Sequence, residues 1–267
     1  DIMSSDWSSD VCSSDLGSPQ FEDFIREHRE QLGADGVVDF DFSQDSRGKV
    51  AMHLGLKGIV YMDLVCRGGK AGGPVDSSQH GSVSAWIASP VWRMIKALAS
   101  FTDERENIAV ANFYDNVQGP GTAEKQILEK LARKMDEKAF LKEMKSLAFK
   151  HELSGVDLLE KALYHPVINI NGIHGGYHGA GTKTVLPRKA TAKVDIRFGP
   201  NMEPEEVINK FKGHLRDKGY DDIEVRVRDS YTWSKTNFDE PIVQKMLKAY
   251  RLYGLEPEVW PIATWTA

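Results

Sequence analysis

The sequence predicts an α/β protein organised around a βαββαβ sandwich, and three observations predict it. The segment ATAKVDIRF (190–198) alternates strictly, with Ala192, Val194, Ile196 and Phe198 on one face and Lys193, Asp195 and Arg197 on the other. That is the period of a strand with one buried side. Two helix-period segments, one opening at Pro90 and one at Pro204, lie between strand-like runs. The order strand 58–66, helix 90–101, strand 167–172, strand 190–198, helix 204–218, strand 223–228 is the split-βαβ, ferredoxin-like order. Its first crossover must be right-handed.

Each element has a local reason. QFEDFIREHREQ (20–31) predicts a short amphipathic helix with Phe21, Phe24, Ile25 and His28 on one stripe. GADGVVDFD (33–41) predicts a turn and then a short buried strand. Strands follow at 50–54 and at GIVYMDLVC (58–66). RGGKAGGPVDSSQHGS is a Gly-rich loop, and Pro90 then sits where a helix starts. Residues 103–155 are charged with helical periodicity, which predicts a helical insertion with a solvated face. VINING (167–172) is a strand. The 204–218 helix is started by Asn201 or Glu203 and ended by Gly219. IEVRV (223–227) is a strand, Pro241–Tyr253 a helix closed by Gly254, and 257–260 the start of another strand. The flanks at 20–57 and 236–267 fall outside the sandwich and predict a second domain that it interrupts.

Composition narrows the function classes. The chain has 267 residues, 41% hydrophobic and 27% charged, the make-up of a soluble globular protein. No apolar run approaches the roughly 18–20 residues of a membrane span. The formal charge is −5, and it is −1 without Asp1, Asp6, Asp10 and Asp15. A near-neutral balance argues against nucleic-acid binding. Of the two cysteines Cys12 lies within residues 1–16, and Cys66 alone makes neither an internal disulfide nor a cysteine-built zinc site, which points to a reducing cytoplasm.

Residues 1–16 stand apart. Within them DWSSDVCSSDL (6–16) has no apolar face at helix or strand period and no positive start. Composition alone predicts a disordered leader. The string also matches a common sequencing adapter translated in one frame. Residues 1–16 are therefore expected to be an artefact, with the natural chain beginning near Gly17.

Several residues could carry chemistry. His80, in DSSQHGS, is either an exposed loop histidine or one that titrates near neutrality and binds substrate. Arg197 is either a surface arginine of the open sheet face or a bidentate carboxylate ligand. Asp39, Asp41 and Asp45 are either an acidic loop or metal ligands. The run GAGTKT (179–184) lacks P-loop spacing and is followed by Pro187, so it is not a phosphate cradle.

Their order is more telling than any one of them. HGGYHGAGTKTVLPRKATAKVDIRFGPNMEPEEV, with NING before it, resembles the lid segment of the dinuclear zinc peptidases and deacylases. That superfamily includes carnosine-type dipeptidases, carboxypeptidase S-like enzymes, aminoacylase and acetylornithine deacetylase. The family pattern G-x-G-x-K-T-V-[IL]-P, then a strand ending R-x-x-P, is here GAGTKTVLP and DIRFGP. LGLKGIVYMDLVCRG, His80 ten residues before Pro90, and Gly17-Ser18-Pro19 add to it. The resemblance covers about Gly17 to Trp260 and is nearest to the dipeptidase branch, through KTVLPRK and RFGPNMEPE.

The resemblance implies a zinc-hydrolase α/β domain interrupted by a ferredoxin-like lid that dimerises. Its implied division is 17–57 partial catalytic domain, 58–235 lid with a helical insertion at about 103–160, and 236–267 partial catalytic domain. It implies that Asp41 binds one of two zinc ions, with Asp39 and Asp45 as alternatives, and that cobalt or manganese could replace zinc. His80 would hold the substrate oxyanion in the partner subunit's site. Thr184 would serve the partner's substrate site. Arg197 would grip the substrate carboxylate, and Asn171 would lie near it. The implied substrate is a peptide or N-acyl amino acid, and the implied state a homodimer without nucleic acid or membrane.

There are departures. The family's H-x-D metal pair and its Glu-Glu pair before Gly-Ser-Pro are not matched, and PEVWPIATWTA diverges from the family's next loop. The first Glu of that pair is the general base of the reaction. The expectation is an internal fragment that cannot hydrolyse a peptide as written. The alternative is a non-enzymatic ferredoxin-like dimerisation or ligand-binding module.

Overall fold

The computed structural model describes residues 21–38 and 48–264. The expectations for residues 1–16, Gly17–Pro19, Asp39, Asp41 and Asp45 lie outside them. The chain divides into two units, Asp1–Ser43 and Gln44–Ala267. In the first, helix α1 spans Phe21–Glu27, shorter than the 20–31 predicted, and opens into turns from His28. Residues 33–38 form no strand, and the rest of the segment expected to hold one, 39–41, lies outside the described residues. A strand needs a ladder partner, and none of the described strands pairs with them.

The second unit holds a four-stranded antiparallel sheet among its described residues. Its strands are β3 (Gly58–Arg67), β5 (Val167–His174), β7 (Lys189–Phe198) and β8 (Glu224–Tyr231), in the order β5-β7-β3-β8. With helices α2 (Pro90–Ala99) and α6 (Pro204–Asp217) this is the βαββαβ arrangement the sequence predicts. β3 and β7 pair without interruption from Gly58↔Phe198 to Arg67↔Lys189. β5 runs past its predicted end because a bulge at Asn171 re-registers it on β7. β8 does the same through a shift beside Tyr61 and Met62 of β3.

The alternation read from 190–198 becomes the core. Ala192, Val194, Ile196 and Phe198 are all buried, with Val60, Met62, Leu64 and Cys66 of β3 beside them. Met94, Ala97 and Leu98 of α2 and Val207, Phe211 and Leu215 of α6 cover that face. The Phe101 and Phe211 rings stack with centroids 4.0 Å apart. Each buried Val, Leu, Ile, Met or Phe side chain among these contributes roughly 1.5–3 kcal/mol.

The helix limits follow local chemistry. Pro90 opens α2, with Ser89 as N-cap. Glu203 is the N-cap of α6, and Gly219 beyond its end takes φ 75°. The loop after β3 needs its glycines, since Gly72 and Gly73 take φ 89° and 98°.

The insertion contains α3 (Thr122–Lys134), α4 (Glu137–Glu143) and α5 (Gly155–Tyr164). Its helices end at Tyr164, beyond the 160 expected, and Leu128, Leu131, Leu159, Leu163 and Tyr164 form a second core with Ile262. Two short pairs, β2 (Gly55–Leu56) with β9 (Ser234–Lys235) and β4 (Gln79–His80) with β6 (Val185–Leu186), join loops to the frame. β1 (Ala51–His53) pairs in parallel with β10 (Glu258–Trp260). Helix α7 (Pro241–Leu252) precedes β10, and its Val243 and Leu247 pack on Leu54.

Candidate substrate-binding site

The β4–β6 pair decides where His80 goes. It places His80 opposite Val185 and beside Thr184, 104 residues later. His80 Nε2 lies 2.8 Å from Thr184 Oγ1. The Ser82 amide donates to His80 Nδ1 at 3.3 Å, and Ser82 Oγ is 2.8 Å from the same nitrogen. A nitrogen that accepts from an amide carries no proton, so in the neutral ring Nε2 holds it. That N–H then donates to Thr184 Oγ1. Both side chains are exposed, so a substrate oxygen can take the place of the threonine hydroxyl.

A second group forms where β7 meets β5. Arg197 stands opposite Val167, and Asp195 opposite Asn169. Arg197 Nε lies 3.5 Å from Asp195 Oδ2, and Nη1 donates to the Thr264 carbonyl oxygen at 3.2 Å. Asn169 Nδ2 donates to Asp195 Oδ1 at 3.1 Å and to Asn171 Oδ1 at 2.6 Å. Asn171 and Arg197 are thus linked through a buried carboxylate. The fork of Arg197 keeps unused donors on a half-buried side chain, which suits a carboxylate ligand.

These two groups do not meet in one chain. Val185, next to Thr184, shares a cleft with Thr191. Thr191 and Arg197 are six residues apart on β7, about 20 Å along an extended strand. Arg197 lines a different cavity, together with Lys57, Lys161, His165 and Thr264.

Sequence reading missed three residues. Asp195 alternates with Lys193 and Arg197 and reads as surface, yet only 4% of it is exposed. Asn169 has no signal apart from its neighbour Asn171. Lys57 reads as an ordinary lysine before a strand, but it is 3% exposed. Burial, then the charges of Arg197 and Lys161, pull its ammonium down to about 7.

A metal site was also expected. Among the described residues no three His, Cys, Asp or Glu side chains gather to hold a metal ion. Cys66 is fully buried in the core, and burial pushes its thiol up to about 11. The described residues therefore do not fit a zinc centre. Asp41 lies outside them.

The comparisons with known proteins agree with the topology. The model of the M20 peptidase dimerisation domain matches residues 54–223. Rat β-Ala-His dipeptidase is 26% identical over 206 residues, 75% of this chain and 40% of that protein. The Cys-Gly metallodipeptidase dug1 of Schizosaccharomyces pombe is 26% identical over 203 residues, 75% of this chain and 41% of that protein. The chain thus spans about two fifths of the length of these relatives. The crystal structure of the M20 family metallo-carboxypeptidase Sso-CP2 from Sulfolobus solfataricus superposes with a TM-score of 0.82 at 28% identity. It covers 94% of this chain and 55% of that one. Human carnosine dipeptidase 1 gives a TM-score of 0.73 at 21% identity, over 98% and 53%, and so shares the fold. With more than half its residues inside the matched region, the chain belongs to the M20 peptidase dimerisation-domain family.

Proposed function

We propose that this chain is the dimerising, substrate-binding part of a metal-dependent hydrolase. It would cleave a peptide or N-acyl amide bond beside a free carboxylate, as a dipeptidase or carboxypeptidase does. The observation that carries this is the placement of its two polar groups. His80 and Thr184 sit near one end of β7, Arg197 and Asn171 towards the other. A single bound peptide cannot touch both within one chain. Two copies related by a two-fold axis bring one end against the other.

The sheet offers an edge for that. β8, one edge, carries Glu224, Arg226, Asp229 and Arg228, and charge protects an edge from pairing. β5, the other edge, exposes Val167, Ile170 and Ile173 and has no Asp, Glu, Lys or Arg. Antiparallel pairing of two β5 strands would join the sheets of a homodimer. It would also set the His80 end of one subunit beside the Arg197 end of its partner.

In this assignment Arg197 holds the substrate carboxylate and Asn171 lies beside it. His80 Nε2–H, released from Thr184, donates in the partner's site to the oxygen that becomes the oxyanion. Thr184 contacts the same substrate. The assignment gives the described residues binding and orientation. A divalent metal, two zinc ions by resemblance with Asp41 as a ligand, would supply the activation of water. Residues 17–57 and 236–267 would belong to the catalytic domain and 58–235 to the lid. The enzyme would work in the cytoplasm. Among the described residues no helix is long and apolar enough to cross a membrane.

Calorimetric titration of this chain with β-alanyl-histidine and with its C-terminal amide tests the reading. The acid is expected to bind at least ten-fold tighter than the amide, and R197A to equalise them. An amide that binds as well as the acid would remove Arg197 from this role.

A further inference from the structure

The cavity behind Arg197 has a volume of about 370 Å³, at the small end for a ligand pocket and room for one residue. It opens where β3 begins, α5 ends and β7 ends. Ile108, Tyr114, Leu153 and Leu158 form apolar walls. Its charges are unbalanced. Lys57, Lys150, Lys161 and Arg197 line it, against one carboxylate, Glu106. Glu106 is taken by Lys150 at 2.5 Å. Asp195 pairs with Arg197 from outside the cavity, and Asp103 acts on Lys161 from outside it as well.

Lys57 and Lys161 are therefore left without a carboxylate in the lining. Lys57 Nζ donates to the Ala162 and His165 carbonyl oxygens at 3.1 and 2.6 Å, two of its three hydrogens. A second feature also points to a ligand. His165 Nδ1, in the same lining, is buried and has no hydrogen-bond partner among the described residues. Buried polar atoms of folded proteins almost always have one.

We propose that this cavity is a specificity pocket for an acidic side chain. A peptide whose terminal carboxylate lies on Arg197 would place a second carboxylate between Lys57 and Lys161, within reach of His165 Nδ1. The preferred terminal residue is then aspartate or glutamate. This rests on the reading of Arg197 above. A bound carboxylate also offsets the repulsion among Lys57, Lys161 and Arg197 that, with burial, holds the Lys57 ammonium near 7. Binding above pH 7 must then draw a proton from solution, and affinity must fall as pH rises. His151, His165 and Tyr114, whose hydroxyl burial pushes up, are the other titratable groups lining the pocket.

The probes are N-acetyl-glutamate, its isostere with an uncharged side chain N-acetyl-glutamine, and N-acetyl-leucine, titrated into this chain by calorimetry. Glutamate is expected to bind at least ten-fold tighter than glutamine at pH 6.5. That ratio should shrink at pH 8.5, with net proton uptake seen by comparing two buffers. K57M should abolish the preference. K161M, on the more open wall, should cut it at least three-fold and stands in if K57M does not fold. Equal binding of glutamate and glutamine, tighter binding of leucine, or no binding by any probe overturns the pocket. R197A separates the two readings. Glutamine binding unchanged by R197A refutes the carboxylate grip, whereas loss of the glutamate preference in K57M and K161M reports on the pocket alone.

Discussion

The Asp195–Arg197 pair sets the direction of the guanidinium on which the functional reading depends. Its strength can be worked out from the structure. At 3.5 Å and an effective dielectric near 20, the gross attraction is about 5 kcal/mol. The Asp195 side chain is 6% exposed and that of Arg197 32%, so desolvation and screening take back most of it. A net coupling of about 1–2 kcal/mol is expected. D195N keeps the volume and the acceptor for Asn169 but removes the charge. D195N, R197M and the double variant form a cycle that isolates the pair. Urea unfolding supplies the four free energies. D195N alone should cost about 2 kcal/mol and lower Tm by about 4–8 °C in a chain of this size. A coupling below about 0.5 kcal/mol would refute the claim that Asp195 orients Arg197.

The other predictions concern the frame and its pH response. F211A removes a fully buried ring stacked on Phe101 and should cost about 3–5 kcal/mol, read as the urea midpoint. G199A puts a methyl group into the Tyr164 carbonyl oxygen and should destabilise by about 1–3 kcal/mol, by the same measurement. Stability should peak near pH 8–9. Burial lowers His165 and His214 and holds His53 down at about 4. The unfolded chain then binds more protons below about 6.5, and stability falls towards pH 4. Lys57, near 7 when folded, likewise makes stability rise from pH 7 upwards, by at most about 1.4 kcal/mol per unit. Cys66, pushed to about 11, and Tyr164, also raised, reverse the trend above about 9. A flat urea midpoint between pH 7 and 9 would mean that Lys57 keeps its proton.

What could be read from the sequence was what local chemistry dictates. The period of 190–198, Pro at the starts of α2, α6 and α7, and Gly219 and Gly254 after two of them appear in the structure nearly where predicted. The bulge at Asn171 was not legible, because only pairing with β7 reveals it. Asp195 alternates as a surface residue would, and its burial comes from strands brought together across the chain. Lys57 looks solvated until α5, a hundred residues later, offers two carbonyl oxygens. His80 and Thr184 meet through a two-residue strand pair too short to show in any pattern, and the family resemblance alone linked them. The helical insertion was legible as helical but not in its limits, since α5 is held by packing on α3.

The most direct test of the central claim is the mass of the chain in solution, measured by light scattering, together with peptide binding. Twice the 29.9 kDa of one chain is expected, with β-alanyl-histidine bound. I173K, which places charge on the β5 edge, is expected to yield a folded 29.9 kDa monomer that binds the peptide at least ten-fold more weakly. A monomeric chain that binds the peptide as tightly as a dimer would contradict a site shared between two subunits.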